Sequence, residues 1–371
     1  MKRRILFVCN TPFQIIVALT LKYGEFKNDI IDIIISDHMN DSLTLFNKIK
    51  DSKIFDNVLY VKSSNYTRKK ENIIENKIDL LKYLISPGYY LNKYIEINER
   101  YDIILGANIE RFFALLVYTL SKKNKNLKVR IFEDGYISYT KLMESYIDWV
   151  NVSQKISIIE KLVSRKNVCK CLDGIYLFEP ELICWSPKVN IYGIDKRIVN
   201  NKEYIKNLNF IFNYENLKDD YDKKVIFFEE SFFAEDINIG DIEIVDEIAK
   251  IIGKENIIIK IHPRNKINRF KEQGFCTNIN TSIPWEVIAL NSNLEKTTLI
   301  TISSSAVLTP RMILNQQIKT ILLYKATEKK SPYIDESCEK YLKRLKKLKG
   351  DNLYICDRIE ELSKIIGDED K

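Results

Sequence analysis

Short apolar runs rich in isoleucine, valine and phenylalanine recur along the chain, and polar turns separate them. In the first half the runs cover residues 5–9, 31–36, 57–61, 102–106, 129–132 and 174–178. In the second half they cover residues 224–228, 257–261, 298–302, 318–323 and 352–356. Continuous β-branched runs of this length are typical of strands buried on both faces of a parallel sheet. The pattern therefore predicts an α/β protein.

Longer segments with helical spacing of their apolar residues lie between several of these runs. Residues 15–21 and 111–120 predict helices after the first and fourth strands, and residues 242–252 predict a helix that Gly253 ends. Thr11 can cap the first helix, and Pro12 fits its first turn. Residues 340–349 predict a basic, solvated helical face. Strand, polar turn and helix in this order form the βα units of a doubly wound domain.

The same βα plan occurs twice along the 371 residues, a length that suits two domains of ordinary size. Residues 200–223 are highly charged and poor in apolar residues, so we place the crossing between the domains near them. We predict an N-terminal Rossmann-like domain over residues 1–213, a linker over 214–223 and a C-terminal Rossmann-like domain over 224–371. Residues 64–100 predict a partly helical segment with a break at 86–88.

Charge and cysteine content narrow the class of protein. The 58 Lys and Arg residues exceed the 51 Asp and Glu residues, giving a net charge of +7, but the charges are interspersed. This suits an anionic small substrate or an acidic membrane face and argues against nucleic-acid binding. The seven cysteines lack zinc-site or disulfide-framework spacing, which indicates a reducing cytoplasm.

The apolar runs also bear on membrane attachment. They are too short for a signal-peptide core or a membrane span, so we expect no N-terminal anchor. We therefore predict a cytoplasmic protein. Peripheral association with the inner face of a membrane and a homodimeric state both remain open.

The isoleucine-rich run at 257–261 ends in the sequence KIHPR, where Pro263 cannot continue a central strand. In open α/β sheets, ligands bind just outside the carboxyl ends of the strands. His262, one of two histidines in the chain, lies at such an end. Lys260 lies two residues earlier on the same face of the strand. A ligand-binding histidine is the main interpretation, and a simple turn histidine is the alternative.

The run at 298–302 ends in three serines, Ser303, Ser304 and Ser305, followed by an apolar, helix-like segment. Backbone N–H groups and a helix dipole that converge at a strand end predict an anion site. A serine run that only caps a helix is the alternative.

Polar residues also follow two strands of the N-terminal half. Asn10, Thr11 and Gln14 follow the first strand, where we expect them to line a cleft, although Thr11 serves equally as a cap. The run at 129–132 ends in Glu133, Asp134 and Gly135, which predict a tight turn that presents carboxylates to the cleft. We expect Gly135 to contribute to substrate binding there. A solvated turn is the alternative.

A third acidic loop, EESFFAED, follows the first strand of the C-terminal half and ends in Glu235 and Asp236. No acidic cluster suggests a divalent metal site, and the sequence GK[ST] of a phosphate-binding loop is absent. The glycine fingerprint of dinucleotide-binding domains is absent too. We therefore expect chemistry without a metal or a bound cofactor.

Taken in order, the segments NTPFQI, FEDG, SFFAED, KIHPR and ITISSSAVLTP resemble bacterial sialyltransferases of glycosyltransferase family 52. That family includes lipooligosaccharide α-2,3-sialyltransferases. The resemblance implies a GT-B fold, with two Rossmann-like domains facing a cleft and the sugar nucleotide held mainly by the C-terminal domain. It also implies inversion of the donor's anomeric configuration and no metal.

The resemblance also assigns roles to residues. His262 would contact the donor phosphate, which would hold its imidazole protonated, and Lys260 would reach the cytosine or a phosphate. Glu286, in the segment IPWEV, would bind the ribose hydroxyls, and the three serines would hold the leaving phosphate. The catalytic base would be Asp236 or Glu235, with Asp236 slightly favoured.

A third candidate for the base is Asp134, because another bacterial sialyltransferase family uses the acid before glycine. The resulting hypothesis is an inverting, metal-independent sialyltransferase. It would move sialic acid from CMP-sialic acid to a terminal galactose of a surface glycan of lipooligosaccharide or capsule type. One alternative is a related GT-B transferase with a glucosyl or N-acetylhexosaminyl donor. The other is a non-catalytic nucleotide- or glycan-binding relic.

Overall fold

The computed structural model describes residues 2–63, 86–153, 165–217 and 219–367. The chain divides into two compact units, Met1–Ile211 and Phe212–Lys371, here called unit 1 and unit 2. The predicted linker at 214–223 falls within unit 2. Of the segment 64–100, residues 64–85 lie outside the described ranges.

Unit 1 contains a sheet of seven strands in the described part of the chain, all paired in parallel. Its strands are β1 Arg4–Cys9, β2 Ile30–Ser36, β3 Asn57–Val61, β4 Ile103–Gly106, β5 Lys128–Phe132, β6 Leu172–Leu177 and β7 Asn190–Gly193. Their spatial order is β3-β2-β1-β4-β5-β6-β7. The central strands are buried along their length, as their continuous apolar sequences predict.

The described helices of unit 1 are α1 Pro12–Tyr23, α2 Ser42–Ser52, α3 Pro87–Asn92, α4 Arg111–Leu120, α5 Lys141–Ser153, α6 Val168–Cys171 and α7 Lys202–Ile211. The hydroxyl of Thr11 accepts a hydrogen bond from the backbone N–H of Gln14 at 3.2 Å, which confirms the predicted cap of α1. The charged stretch that begins at residue 200 starts with a helix, α7. This helix buries one face, where the hydroxyls of Tyr204 and Thr20 lie 3.1 Å apart.

Unit 2 contains a second parallel sheet, with six strands among its described residues. They are β8 Val225–Phe228, β9 Ile257–Lys260, β10 Cys276–Thr277, β11 Thr298–Thr301, β12 Lys319–Leu322 and β13 Leu353–Ile355, in the order β10-β9-β8-β11-β12-β13. The helices are α8 Asp241–Ile252, α9 Arg269–Glu272, α10 Trp285–Asn291, α11 Thr309–Met312, α12 Glu336–Lys349 and α13 Leu362–Gly367.

The strand order reverses direction once in each sheet. In unit 1 the reversal falls between β1 and β4, and in unit 2 it falls between β8 and β11. Such a switch point leaves a crevice at the carboxyl ends of the two strands, and this is where ligands bind in open α/β sheets. The prediction of two doubly wound, Rossmann-like domains is confirmed.

One predicted helix is much shorter than its sequence suggested. After the serine run, Ser305–Leu308 form a 3₁₀ turn, and only the single turn of α11 follows. None of the helices in the described ranges is both long enough and apolar enough to cross a membrane.

Candidate active site

His262 follows β9 at the carboxyl edge of the unit 2 sheet, as the sequence predicts. Its backbone N–H donates to Oε2 of Glu229 at 3.0 Å. Its ring Nδ1 accepts from the backbone N–H of Arg264 at 3.2 Å, so the proton of the neutral ring lies on Nε2. Burial, together with the charges of Arg264 and Lys260, lowers the pKa of His262 to about 4. Without a ligand, the imidazole is therefore neutral near pH 7.

A buried ion-pair network supports the backbone at His262. Arg269 donates to Glu229 Oε1 at 3.1 Å and to Asp241 Oδ2 at 2.5 Å. Asn265 connects the two loops of this edge, because its amide donates to the carbonyl of Glu230 at 2.9 Å and accepts from the N–H of Ala234 at 3.1 Å. These contacts hold the KIHPR and EESFFAED loops against each other.

Glu230 occupies the switch point of unit 2 and binds the serine segment. Its Oε1 accepts from the backbone N–H groups of Ser303 at 2.5 Å and Ser304 at 2.8 Å, and from the hydroxyl of Thr301 at 2.7 Å. The carboxyl is fully enclosed, and burial raises its pKa to about 7. The two backbone N–H groups predicted to be free for a phosphate are therefore occupied by a carboxylate of the protein itself. That part of the prediction is wrong.

The three serine side chains differ in their surroundings. Ser303 is buried and its hydroxyl accepts from Ser331 at 3.0 Å. Ser304 caps the 3₁₀ turn, since its hydroxyl accepts from the N–H of Ala306 at 3.4 Å, as the capping alternative predicted. Ser304 and Ser305 remain partly exposed at the sheet edge.

Lys260 and Glu286 both face the interior of unit 2 near this edge. Among the described residues the Lys260 ammonium makes no hydrogen bond or ion pair within 4 Å, and burial lowers its pKa. The charge of Glu286 is the main influence that opposes this lowering. Glu286 lies in the first turn of α10 and accepts from Thr309 Oγ1 at 3.3 Å, while burial raises its pKa. A buried cation of this kind needs an anionic partner.

The two candidate bases of unit 2 lie in different environments. Glu235 accepts hydrogen bonds from Tyr333, from Ser231 Oγ at 2.7 Å and from Arg264 at 3.3 Å. The hydrogen bond from Tyr333 is the largest of the influences that lower the pKa of Glu235, and the bond from Ser231 is the next. Asp236 is exposed, with no side-chain hydrogen bond to any described residue, and adopts a left-handed conformation with φ of 56°. Of these two acids, Asp236 is the one whose carboxylate has no hydrogen bond to a described side chain or backbone group.

Asp134, the candidate base of unit 1, lies at the end of β5. Its Oδ2 accepts from Gln14 Nε2 at 3.0 Å and Asn108 Nδ2 at 3.3 Å, and burial raises its pKa. Gln14 in turn accepts from the N–H of Asn10 at 2.8 Å, so β1 and β5 are joined across β4. Gly135 has φ of 78° and ψ of −165°, a backbone conformation open to glycine alone.

Glu133, the neighbouring acid, has a structural role. Its Oε2 accepts from the hydroxyl of Tyr139 and from the N–H of Phe178 at 2.8 Å. Burial raises the pKa of this carboxyl to about 7. The solvated-turn alternative for this acidic motif is therefore wrong, because Glu133 is buried, Asp134 is half-buried, and both carboxyls are hydrogen-bonded within the protein.

Several residues of the two edges went unassigned in the sequence. Glu229 and Glu230 were visible only as adjacent acids after a strand, while Arg269, Tyr333, His38 and Glu110 gave no signal of their own. Within the residues that the structure describes, no group of three or more His, Cys, Asp or Glu side chains is placed to hold a metal ion. Metal independence stays a prediction.

Several solved structures are similar to this chain. Arabidopsis thaliana UGT89C1 complexed with UDP is 11% identical, with 100% of this chain and 91% of that chain covered and a TM-score of 0.51. Its complex with UDP-L-rhamnose is 9% identical, with 99% of this chain and 90% of that chain covered and a TM-score of 0.52. The GT-B domain of a Photobacterium damselae sialyltransferase is 11% identical, with 95% of this chain and 100% of that chain covered and a TM-score of 0.47. A comparison with curated protein sequences gives no match.

The two Rossmann-like units, each with polar residues at its switch point, define the GT-B fold. The family model for Alpha-2,8-polysialyltransferase (POLYST) matches residues 5–325. The chain therefore belongs to the alpha-2,8-polysialyltransferase family, and the prediction of a sialyltransferase is confirmed at that level. Membership of glycosyltransferase family 52 and the α-2,3 lipooligosaccharide type stay predictions.

Proposed function

We propose that the protein is an inverting, metal-independent sialyltransferase that transfers sialic acid from CMP-sialic acid to the terminal galactose of a surface glycan. The observation that carries this proposal is the family match over residues 5–325. The arrangement of unit 2 supports it, because an imidazole, a buried ammonium and partly exposed serines gather at the carboxyl edge of one sheet.

In this reaction the acceptor hydroxyl oxygen bonds to the anomeric carbon of sialic acid as the bond from that carbon to the CMP phosphate oxygen breaks. The electron pair of the broken bond goes to the phosphate. His262 donates a hydrogen bond from Nε2 to that phosphate, and the developing charge raises the pKa of the imidazole. Ser304 and Ser305 donate from their hydroxyls, and Glu230 and Ser303 hold the segment in place.

Lys260 and Glu286 bind the nucleoside part of the donor. A cytosine or phosphate oxygen would supply the hydrogen-bond acceptor that the Lys260 ammonium lacks, and Glu286 can accept from ribose hydroxyls. The hydroxyl proton of the acceptor passes to a carboxylate, for which Asp236 is favoured because it has no competing donor. General base catalysis contributes roughly 10²–10⁴-fold to such a reaction.

The description of the family gives a second acceptor. Because it names alpha-2,8-polysialyl transfer, a glycan that already ends in sialic acid is the alternative to a terminal galactose. The titles of the UGT89C1 complexes name UDP and UDP-L-rhamnose, so a UDP-sugar is the alternative donor.

The test is incubation with CMP-sialic acid and either lactose or sialyllactose, followed by mass spectrometry of the product. UDP-glucose and UDP-N-acetylglucosamine serve as the competing donors. His262→Ala should lose at least about 100-fold in turnover, whereas Lys266→Ala, an exposed change in the same loop, should not. Consumption of a UDP-sugar instead of CMP-sialic acid, or full turnover in His262→Ala, would show the proposal to be wrong.

A further inference from the structure

Tyr333 lies in the loop between β12 and α12, beside the acidic loop of the candidate site. Its ring stacks on the buried ring of Phe232, with centroids 5.0 Å apart and an angle of 8° between the planes. Its backbone N–H donates to Ser331 Oγ at 3.3 Å, and the Ser331 hydroxyl donates to the buried Ser303 at 3.0 Å. Because both the ring and the backbone are anchored, the Tyr333 hydroxyl has a defined position.

That hydroxyl binds Glu235, and two further donors hold the same carboxylate. Tyr333 donates to Oε2 of Glu235, whereas Ser231 Oγ and Arg264 Nη1 donate to Oε1 at 2.7 and 3.3 Å. The hydrogen bond from Tyr333 is the largest of the influences that lower the pKa of Glu235, so the acid is ionised near pH 7. The carboxylate is therefore charged and oriented where it meets Arg264.

This orientation matters because the Arg264 side chain is 71% exposed. An exposed ion pair contributes little when both long side chains must be ordered to form it. Here Tyr333 and Ser231 already order the carboxylate, so the arginine is the side chain that loses most freedom when the pair forms. The pair attaches Arg264 to the acidic loop.

The backbone of Arg264 selects the tautomer of His262. Its N–H donates to the ring Nδ1 at 3.2 Å, which leaves the proton of the neutral ring on Nε2. Pro263, with its restricted φ, separates the two residues, and the N–H of Asn265 donates to the His262 carbonyl at 2.9 Å. In so short a turn, a displaced Arg264 leaves Nδ1 without its donor, and the proton is then free to occupy either nitrogen.

We propose that Tyr333 is a positioning residue that keeps the imidazole proton of His262 on Nε2. It acts through the carboxylate of Glu235 and through Arg264. This inference rests on the proposed function, in which Nε2 donates to the phosphate of the donor. It gives the loop between β12 and α12 a part in the reaction.

Nitrogen-15 NMR of the imidazoles in the full chain measures the tautomer directly. The protein is labelled at histidine alone, of which the chain has two. His38 lies in unit 1, with its Nε2 3.6 Å from Glu110 Oε2, and its signals are identified by their loss in His38→Gln. Spectra are recorded without ligand at pH 8, where the His262 ring, with a pKa lowered by burial to about 4, is neutral.

Tyr333→Phe keeps the stacked ring and removes the hydroxyl, and Arg264→Ala, an exposed change, removes the next link. In the wild type, the His262 nitrogens should differ in chemical shift as a protonated Nε2 and an unprotonated Nδ1 do. In both variants the two signals should move toward each other, as in a mixture of tautomers. Tyr354→Phe, at a partly exposed position of β13, is the control and should keep the wild-type pattern.

Thermal unfolding checks that each variant is folded. The wild-type pattern in a folded Tyr333→Phe overturns the proposal. Should Tyr333→Phe not fold, the wild-type pattern in Arg264→Ala overturns it instead, and a mixture of tautomers there supports it.

A double-mutant cycle tests the same link in the reaction. Tyr333→Phe should lower kcat about tenfold, a part of the roughly 10²–10⁴-fold that a positioned proton donor contributes, and leave the KM for the acceptor unchanged. In a His262→Ala background the same change should alter kcat by less than about twofold, because the residue through which it acts is gone. An equal loss in both backgrounds would show that Tyr333 only supports the fold, and full turnover in Tyr333→Phe would equally overturn the proposal.

The two measurements separate this inference from the proposed function. If the tautomer changes in Tyr333→Phe but CMP-sialic acid is never consumed, the positioning of His262 stands and the sialyltransferase reaction does not. If transfer proceeds while the spectra and kcat ignore Tyr333→Phe, the reaction stands and the positioning does not.

Discussion

The buried carboxyl of Glu230 should make the stability of unit 2 depend on pH. Burial raises its pKa from an ordinary value of 4.5 to about 7 in the folded protein. Between these two pH values the folded state binds more protons than the unfolded state, so the free energy of unfolding falls as the pH rises. The contribution is fully present below about pH 4.5 and lost above about pH 7.

The size of the effect follows from the two pKa values. At 1.36 kcal/mol for each pH unit, the interval from 4.5 to about 7 corresponds to about 3 kcal/mol. Because the group is fully enclosed, solvent does not screen it. Glu230→Gln keeps the shape of the side chain but cannot ionise. The variant should therefore lack this part of the pH dependence, although other groups still titrate.

Urea unfolding at pH 5 and pH 8 measures the difference. The replacements Trp149→Phe and Trp185→Phe are made first, and the resulting protein is the parent of both variants. Trp285 is then the single tryptophan in the parent and in each variant. Trp285 packs edge-on against Phe228 with ring centroids 4.8 Å apart, and Phe228 ends the strand that leads to Glu230. Its fluorescence therefore reports the unfolding of unit 2.

From pH 5 to pH 8, Glu230→Gln should gain about 2–3 kcal/mol in unfolding free energy relative to its parent. Glu243→Gln is the matched control, since Glu243 is exposed on α8. A Glu230→Gln difference that is the same at both pH values, or that has the opposite sign, would refute the reasoning.

Three further predictions concern the reaction. Ser304→Ala combined with Ser305→Ala should weaken CMP binding about tenfold or more, since hydrogen bonds to a charged phosphate are lost; an unchanged CMP titration would leave these serines with a structural role only. Asp236→Asn should abolish turnover and keep CMP binding, whereas loss of activity in Asp134→Asn with an active Asp236→Asn would move the base to unit 1. Excess chelator should leave activity intact, and restoration by magnesium after a loss would contradict the metal-free mechanism.

The strand ends of unit 2 were readable in the sequence because they depend on local pattern. An isoleucine run stopped by Pro263 places His262 at a sheet edge without any knowledge of the neighbouring strands. The place of Glu230 depends instead on the pairing of β8 with β11, which brings it to N–H groups 73 and 74 residues away. Two adjacent acids in a sequence do not show which one is enclosed.

The same limit applies to unit 1. Asp134 and Gln14 were recognised because each follows an apolar run, and the structure joins them at 3.0 Å. His38 and Glu110 lie in loops with little apolar pattern, and only the order β2-β1-β4 brings them together. The charged helix α7 was missed for a related reason, because its buried face is formed by few residues within a polar stretch.

The carboxylate of Glu230 has a practical consequence for laboratory work with this protein. A pair of backbone N–H groups at a strand end normally attracts sulfate or phosphate from a buffer. Here those groups already donate to an oxygen of a side-chain carboxyl, which cannot be washed out or exchanged whether it is protonated or ionised. Phosphate buffers and sulfate precipitants should therefore compete with the donor only at the solvent-facing hydroxyls and the imidazole, and ordinary concentrations of either salt should be tolerated in assays and crystallisation trials.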